Sequence, residues 1–245
     1  MNLEWKRKFS GKIQTPSKLL EQKARLINFT LKSIGDEYKV ISTNNDFAVF
    51  CCSWIPVKAY YIIFNLLLIL KYLITCDEKS FLSTHSGINK EFKSYIEREE
   101  IKFSKDCFNK VYENEKIEET CQWKSASGES LKVVSFSEEG RLKHILKKIV
   151  EYKKDDFKRV KSIKSLRGKS GKEFLSQTKI NLSDFFYCWR IKANYGGMEF
   201  LDKQIPDIQF KNYFLNYYGF LLNYHNCLKN IINELALIRL GEEVL

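Results

Sequence analysis

Apolar residues recur at helical spacing along most of the chain, and this pattern predicts a set of amphipathic helices. Residues 18–35 form the first, with Gly35 as its stop signal. Residues 139–165 predict a basic helix with one apolar side, and residues 182–195 predict a shorter helix with Ser183 as its N-cap. The aromatic-rich residues 210–240 predict one long helix or a pair of helices.

The most apolar segment, residues 47–76, has two interpretations. A membrane span needs about 20 continuous apolar residues, whereas a run of about 10–14 is more typical of a buried core helix. The longest uncharged part lies between Lys58 and Lys71 and has 12 residues, and Pro56 interrupts the earlier half. The pattern therefore favours a core helix that is apolar on nearly every face and is surrounded by other helices. We expect no membrane span.

The remaining segments are predicted to connect these helices. "SASGES" (125–130) is typical of a turn, "RGKSGKEF" (167–174) of a loop, and "LKVVSF" (131–136) of a short strand. Only 3 prolines and 11 glycines interrupt the chain, which favours helices. The predicted fold class is mainly all-α, a helical bundle with a short β-hairpin.

Composition places the chain among globular proteins of a reducing compartment. Its 245 residues are 44% hydrophobic, enough for a proper core. The cysteines lack CxxC or CxxH spacing, which argues against a disulfide framework and a zinc site. "MNLEWKRKFSGKIQTPS" has no apolar core and is not a secretory signal. We expect a cytoplasmic protein without metal or cofactor.

The net charge of +11 is concentrated in residues 141–172, which carry 13 Lys or Arg against 3 acids. Such a segment is either a solvated helix face or a contact for an RNA or DNA backbone, and the concentration of one sign favours nucleic acid. "RGKSGK" lacks the glycine and the Ser/Thr of a P-loop. The candidate nucleic-acid-binding residues are Arg141, Lys143, His144, Lys147, Lys148, Lys153, Lys154, Lys158, Arg159, Lys161, Arg167, Lys169 and Lys172.

Three short motifs follow one another along the chain: a Tyr-Tyr pair in the apolar helix, a Ser-His-x-Gly box, and an Arg-x-x-Ala-Asn-Tyr segment before the last helix. Their residues are Tyr60 and Tyr61; Ser83, His85 and Gly87; and Arg190, Ala193, Asn194 and Tyr195. These motifs and their order resemble the HEPN superfamily, all-helical domains of bacterial toxin–antitoxin and phage-defence systems. The resemblance implies one HEPN-like domain over residues 1–245, with residues 97–182 as a basic insertion, and a homodimer.

The resemblance also implies RNA chemistry without metal, and Arg190 is suited to it because a guanidinium binds phosphate oxygens in a bidentate way. Members that cleave RNA carry this Arg, then four to six intervening residues, then a histidine, and five residues on from Arg190 this chain has Tyr195 instead. The candidate catalytic residues are therefore Arg190, Lys192, Asn194 and Tyr195. The plainer interpretation of "RIKANYGG" is a helix C-terminus capped by glycine.

His85 has a structural interpretation. A single histidine is more often a hydrogen-bonded structural residue than a catalyst, and Ser83 fits an N-cap at the start of the following helix. The sequence thus leaves two functions open. One is an RNA-binding protein, either an atypical metal-independent endoribonuclease or a non-cutting binder. The other is an adaptor or antitoxin-like module whose aromatic final helix binds a protein encoded nearby.

Overall fold

The computed structural model describes residues 7–41, 43–113, 139–195 and 207–245. Within the helices, the side chains of residues 45, 139–144, 192, 195 and 207–209 are not part of that description. The predicted turn at 125–130 and the predicted strand at 131–136 lie outside the described residues.

The described chain is mostly helical, as the pattern predicted. Two 3-10 helices occupy Glu78–Leu82 and Asp106–Asn109, and two short strands are β1 (Tyr112–Glu113) and β2 (Lys179–Ile180). The α-helices are α1 (Lys18–Ile41), α2 (Asn45–Thr75), α3 (His85–Glu97), α4 (Glu139–Lys161), α5 (Lys169–Gln177), α6 (Ser183–Tyr195) and α7 (Asp207–Arg239).

Helix α2 lies at the centre of the bundle. It packs against α1, α6 and α7, so its apolar residues are buried on nearly every face. Pro56 lies inside α2 and does not end it, so the expected interruption of this segment was wrong. Asn44 caps its first turn by accepting a hydrogen bond from the Phe47 N–H. Arg239 binds its last turn through the carbonyls of Leu73 and Ile74.

By length and composition α2 could also cross a membrane, and it is the only described helix that could. In its most apolar window, however, 67% of the residues are buried inside the protein. A core helix shows this burial because other helices cover the faces that lipid would otherwise contact.

Helix α7 is one continuous helix, and its aromatic residues lie inside the bundle. The Phe220 ring stacks on Phe186 of α6 with centroids 4.9 Å apart, and Tyr224 is fully buried. His225 is also buried, as expected for a core residue. These buried rings pack the final helix into the bundle, whereas Tyr213 and Tyr218 of the same helix are only half-buried.

Two glycines that the sequence interprets as breakers lie inside helices, at positions where a side chain would meet a close neighbour. Helix α1 continues through Gly35 to Ile41, and a Cβ at Gly35 would lie 3.3 Å from the Tyr218 hydroxyl on α7. The predicted loop 167–174 is largely α5, where a Cβ at Gly171 would lie 2.3 Å from the Leu166 carbonyl oxygen. Both predictions were wrong.

The β-structure also differs from a hairpin. β1 and β2 pair in antiparallel register, Tyr112 with Ile180 and Glu113 with Lys179, so the partners come from opposite ends of the predicted insertion. Helix α4 follows the predicted pattern at its apolar side, where Ile145, Leu146 and Ile149 are buried.

Candidate phosphate-binding site

Arg190 on α6 packs against three tyrosines. Its guanidinium carbon lies 4.8 Å from the ring centroid of Tyr60, 5.8 Å from that of Tyr187 and 6.0 Å from that of Tyr61. These distances are typical of cation–π contacts. The Arg190 Nε is buried without a hydrogen-bond acceptor, and no described carboxylate forms an ion pair with the guanidinium. The tyrosines therefore hold the guanidinium in place, and no carboxylate of the described residues neutralises its charge.

His85 contacts the same Tyr60 side chain as this guanidinium. Its Nδ1 is 2.5 Å from the Tyr60 hydroxyl, and its ring centroid is 4.3 Å from that of Phe64. Burial, together with the charge of Arg190, lowers the pKa of His85 below its ordinary value of 6.5. Burial raises the pKa of Tyr60 well above its ordinary value, although Arg190 opposes this shift. Near pH 7 the imidazole is therefore neutral and the phenol keeps its proton.

The start of α3 determines the position of His85. Thr84 is the N-cap and accepts a hydrogen bond from the Gly87 N–H at 3.2 Å, so the expectation that Ser83 caps this helix was wrong. Ser83 instead accepts a hydrogen bond from the Lys71 ammonium. A Cβ at Gly87 would lie 2.9 Å from the Thr84 hydroxyl, which explains why glycine suits this tight cap.

The structure therefore brings together four residues from all three motifs: Tyr60, Tyr61, His85 and Arg190. We call this cluster, with Tyr187, the Arg190 site. It does not include Asn194, which lines a cavity further along the same two helices, near the end of α6. The side chains of the other two candidate catalytic residues, Lys192 and Tyr195, lie outside the description.

The contact of His85 with Tyr60, and through Tyr60 with Arg190, was not predicted from the sequence. The family pattern has its histidine shortly after the Arg, and His85 was instead expected to support the start of a helix. The available signal was the tyrosine pair, because a tyrosine on the central helix can contact both α3 and α6.

Some cations of the basic segment, residues 141–172, face the interior of the protein and others face solvent. Lys153 is not on the outer surface: its ammonium lies 2.9 Å from the Asp184 carboxylate, which Lys93 also binds at 3.0 Å. Burial alone would raise the pKa of Asp184, but the two ammonium groups hold it below its ordinary value. Lys153 therefore has a structural partner and cannot reach a phosphate in this arrangement.

Three other cations of α4 form ion pairs along the helix, Lys148 with Glu151, Lys158 with Asp155 and Arg159 with Asp156. Lys147 and Lys154 also have partners within the protein. The side chains of Arg141, Lys143 and His144 lie outside the description. Exposed cations without a described acidic partner cluster where α4 leads into α5, and we call them the basic corner: Lys161, Lys164, Arg167, Lys169 and Lys172.

If the basic corner contacts an RNA backbone, replacing its five cations with Gln should weaken binding to all sequences alike. The log–log salt dependence of the association constant should flatten by about 0.7 for each lost single-strand phosphate contact. A matched control replaces five exposed lysines elsewhere with Gln: Lys12, Lys18, Lys32, Lys79 and Lys102. Equal slopes for the parent and the corner variant would show that these cations form a solvated face.

The described residues contain no group of three or more His, Cys, Asp or Glu side chains placed to hold a metal ion. A comparison of this chain with protein-family models, with curated proteins and with solved structures found no match. Any catalytic or binding role is therefore inferred from the residues of the Arg190 site and the basic corner alone.

Proposed function

We propose that this chain is a HEPN-like, RNA-binding protein that cleaves RNA without a metal ion, with Arg190 and His85 as the catalytic pair. In this proposal it acts as a homodimer in a bacterial defence or toxin–antitoxin system. The observation that supports the proposal is that Arg190, which has no carboxylate partner among the described residues, contacts the same Tyr60 side chain as the neutral imidazole of His85.

Each residue has a defined role in the proposed reaction. The Arg190 guanidinium binds the scissile phosphate and stabilises the negative charge that develops on its oxygens. His85, with its Nδ1–H donating to the Tyr60 hydroxyl oxygen, accepts at Nε2 the proton of the ribose 2′-hydroxyl. The 2′-oxygen then forms a bond to phosphorus, and the bond to the 5′-oxygen breaks. The leaving oxygen takes a proton from water, which leaves a 2′,3′-cyclic phosphate and a 5′-hydroxyl.

The test of this proposal is RNA cleavage in EDTA by the parent and by His85→Ala. Removing a general base should lower kcat by about 100-fold or more. Because the pKa of His85 is lowered, the parent rate should be constant near neutral pH and fall only below about pH 6.5 as the imidazole is protonated. His85→Ala should lack this acid limb. Tyr60→Phe keeps the ring and removes only the hydroxyl, so it should lower kcat by about tenfold.

Thr84→Ala is the matched control, because it weakens the start of α3 by about 1 kcal/mol and leaves the imidazole in place. It should melt at a lower temperature and retain the parent's cleavage rate. A Thr84→Ala variant as inactive as His85→Ala would show that His85 only supports the helix. A parent protein that binds RNA tightly and never cleaves it would make the protein a non-cutting binder.

A further inference from the structure

A second feature lies in the same groove between α2 and α6, one turn away from the Arg190 site. It is a cavity of about 410 Å³ whose walls include Phe50, Trp54 and Val57 of α2 and Ala193 and Asn194 of α6. Val57 precedes Tyr61 by four residues and Ala193 follows Arg190 by three. One helical turn advances about 5.4 Å, so the cavity and the guanidinium are neighbours along the groove. We call it the aromatic pocket.

The pocket exposes large aromatic rings to solvent. Trp54 is 46% exposed and Phe50 is 54% exposed, and their ring centroids lie 6.5 Å apart. Both belong to a helix whose other apolar residues are mostly buried, so their exposure is not a consequence of a generally open surface. Exposed aromatic rings beside a cationic site are the usual platform for the bases of a single-stranded nucleic acid, because every base has a face that stacks.

The polar groups of the pocket select the part of a nucleotide that fits. Asp46 also lines it, and a carboxylate repels phosphate but accepts hydrogen bonds from the N–H groups of a base. The Asn194 amide can both donate to and accept from a base edge. A volume of about 410 Å³ is within the range of sites that hold small ligands. The pocket therefore suits a base, while Arg190 next to it suits a phosphate.

We propose that the aromatic pocket binds the unpaired base of the nucleotide next to the phosphate held by Arg190, so that the substrate is single-stranded RNA. This inference rests on the proposed function and adds that the bound RNA is unpaired. A base inside a duplex cannot enter the pocket, because it is paired and stacked between its neighbours. Paired RNA should therefore bind only through electrostatic contacts with the basic corner.

The experiment measures binding by fluorescence anisotropy with two probes, an unstructured 12-nucleotide RNA and the same strand paired with its complement. Both carry 2′-O-methyl groups, which remove the nucleophile and prevent cleavage. Trp54→Ala should bind the single strand at least about fivefold more weakly, the loss expected from one stacked base, and bind the duplex as the parent does. Trp54→Phe keeps an aromatic ring and should retain most of the affinity. The control is Phe29→Ala, because Phe29 is an aromatic residue on α1 that is 73% exposed. It should change neither the affinity for the single strand nor that for the duplex.

The outcomes separate this inference from the function on which it rests. Parental affinity of Trp54→Ala for the single strand would overturn the base-binding pocket, and so would an equal loss on both probes. If the cleavage assay still responds to His85→Ala, the ribonuclease proposal stands without the pocket. A parent protein that binds neither probe contradicts both proposals.

Discussion

Arg190→Ala should reduce RNA cleavage by about a thousandfold or more, the loss expected when an arginine that stabilises charge on a transferring phosphoryl group is removed. No described residue accepts a hydrogen bond from its buried Nε, so the substitution breaks no internal hydrogen bond there. It does remove the cation–π contacts with Tyr60, Tyr61 and Tyr187, each worth about 0.5–2 kcal/mol, so the melting temperature should fall and circular dichroism should confirm that the variant stays folded at the assay temperature. Arg190→Lys should recover only part of the activity, because an ammonium cannot reproduce the bidentate contact of a guanidinium.

Arg25→Ala is a matched control, since Arg25 is an exposed arginine on α1 with a partner on its own helix. It should cleave RNA at the parental rate in EDTA. Equal rates for the parent, Arg190→Ala and Arg25→Ala would contradict a catalytic role for Arg190. If the parent shows no cleavage at all, the same variants tested for binding decide whether Arg190 holds a phosphate.

Asp184→Ala should destabilise the protein by about 3–5 kcal/mol, because it leaves the ammonium groups of Lys93 and Lys153 buried without their shared carboxylate. The side chain of Asp184 is only 3% exposed, so solvent cannot replace the lost partner. Chemical denaturation at pH 7 measures the change. The control Asp155→Ala removes an exposed carboxylate paired along α4 and should leave the unfolding midpoint nearly unchanged.

The contribution of Asp184 also predicts a pH dependence. Its pKa in the folded protein lies below the ordinary value of 3.8, so its stabilising effect is fully present above about pH 4. The effect is lost as the pH falls through the folded-state pKa. Parent and Asp184→Ala should therefore differ most in stability near neutral pH and converge in strong acid. If the difference in the free energy of unfolding between parent and variant stayed constant down to pH 2, the ionised Asp184 carboxylate would not be the source of this stability.

The local sequence pattern was sufficient to predict the long helices of the fold. The apolar periodicity of α1, the continuous apolar run of α2 and the aromatic spacing of α7 each predict a helix, because a helix places every third or fourth residue on one face. The mainly helical class follows from these segments and from the scarcity of proline and glycine. The three motif segments were also recognisable as candidate functional residues, since Arg and His have few equivalents in phosphate chemistry.

Interactions between distant residues decided the rest. Gly35 does not end its helix, and the Tyr218 hydroxyl of a distant helix occupies the space that a side chain there would need. Lys153 is spaced like a surface cation and is held inside by Asp184. The strand partner of Tyr112 comes from the other end of the insertion.

By itself, the sequence determined which segments are helices and which side chains can carry charge, because backbone propensity and side-chain chemistry are local properties. Only the tertiary structure decided which of those side chains meet. The packing of α2 against α6, and of the α3 start against Tyr60, brings His85 and Arg190 into contact with the same Tyr60 side chain although the two are far apart in the sequence. That arrangement depends on three helices at once, so no local sequence pattern could predict it.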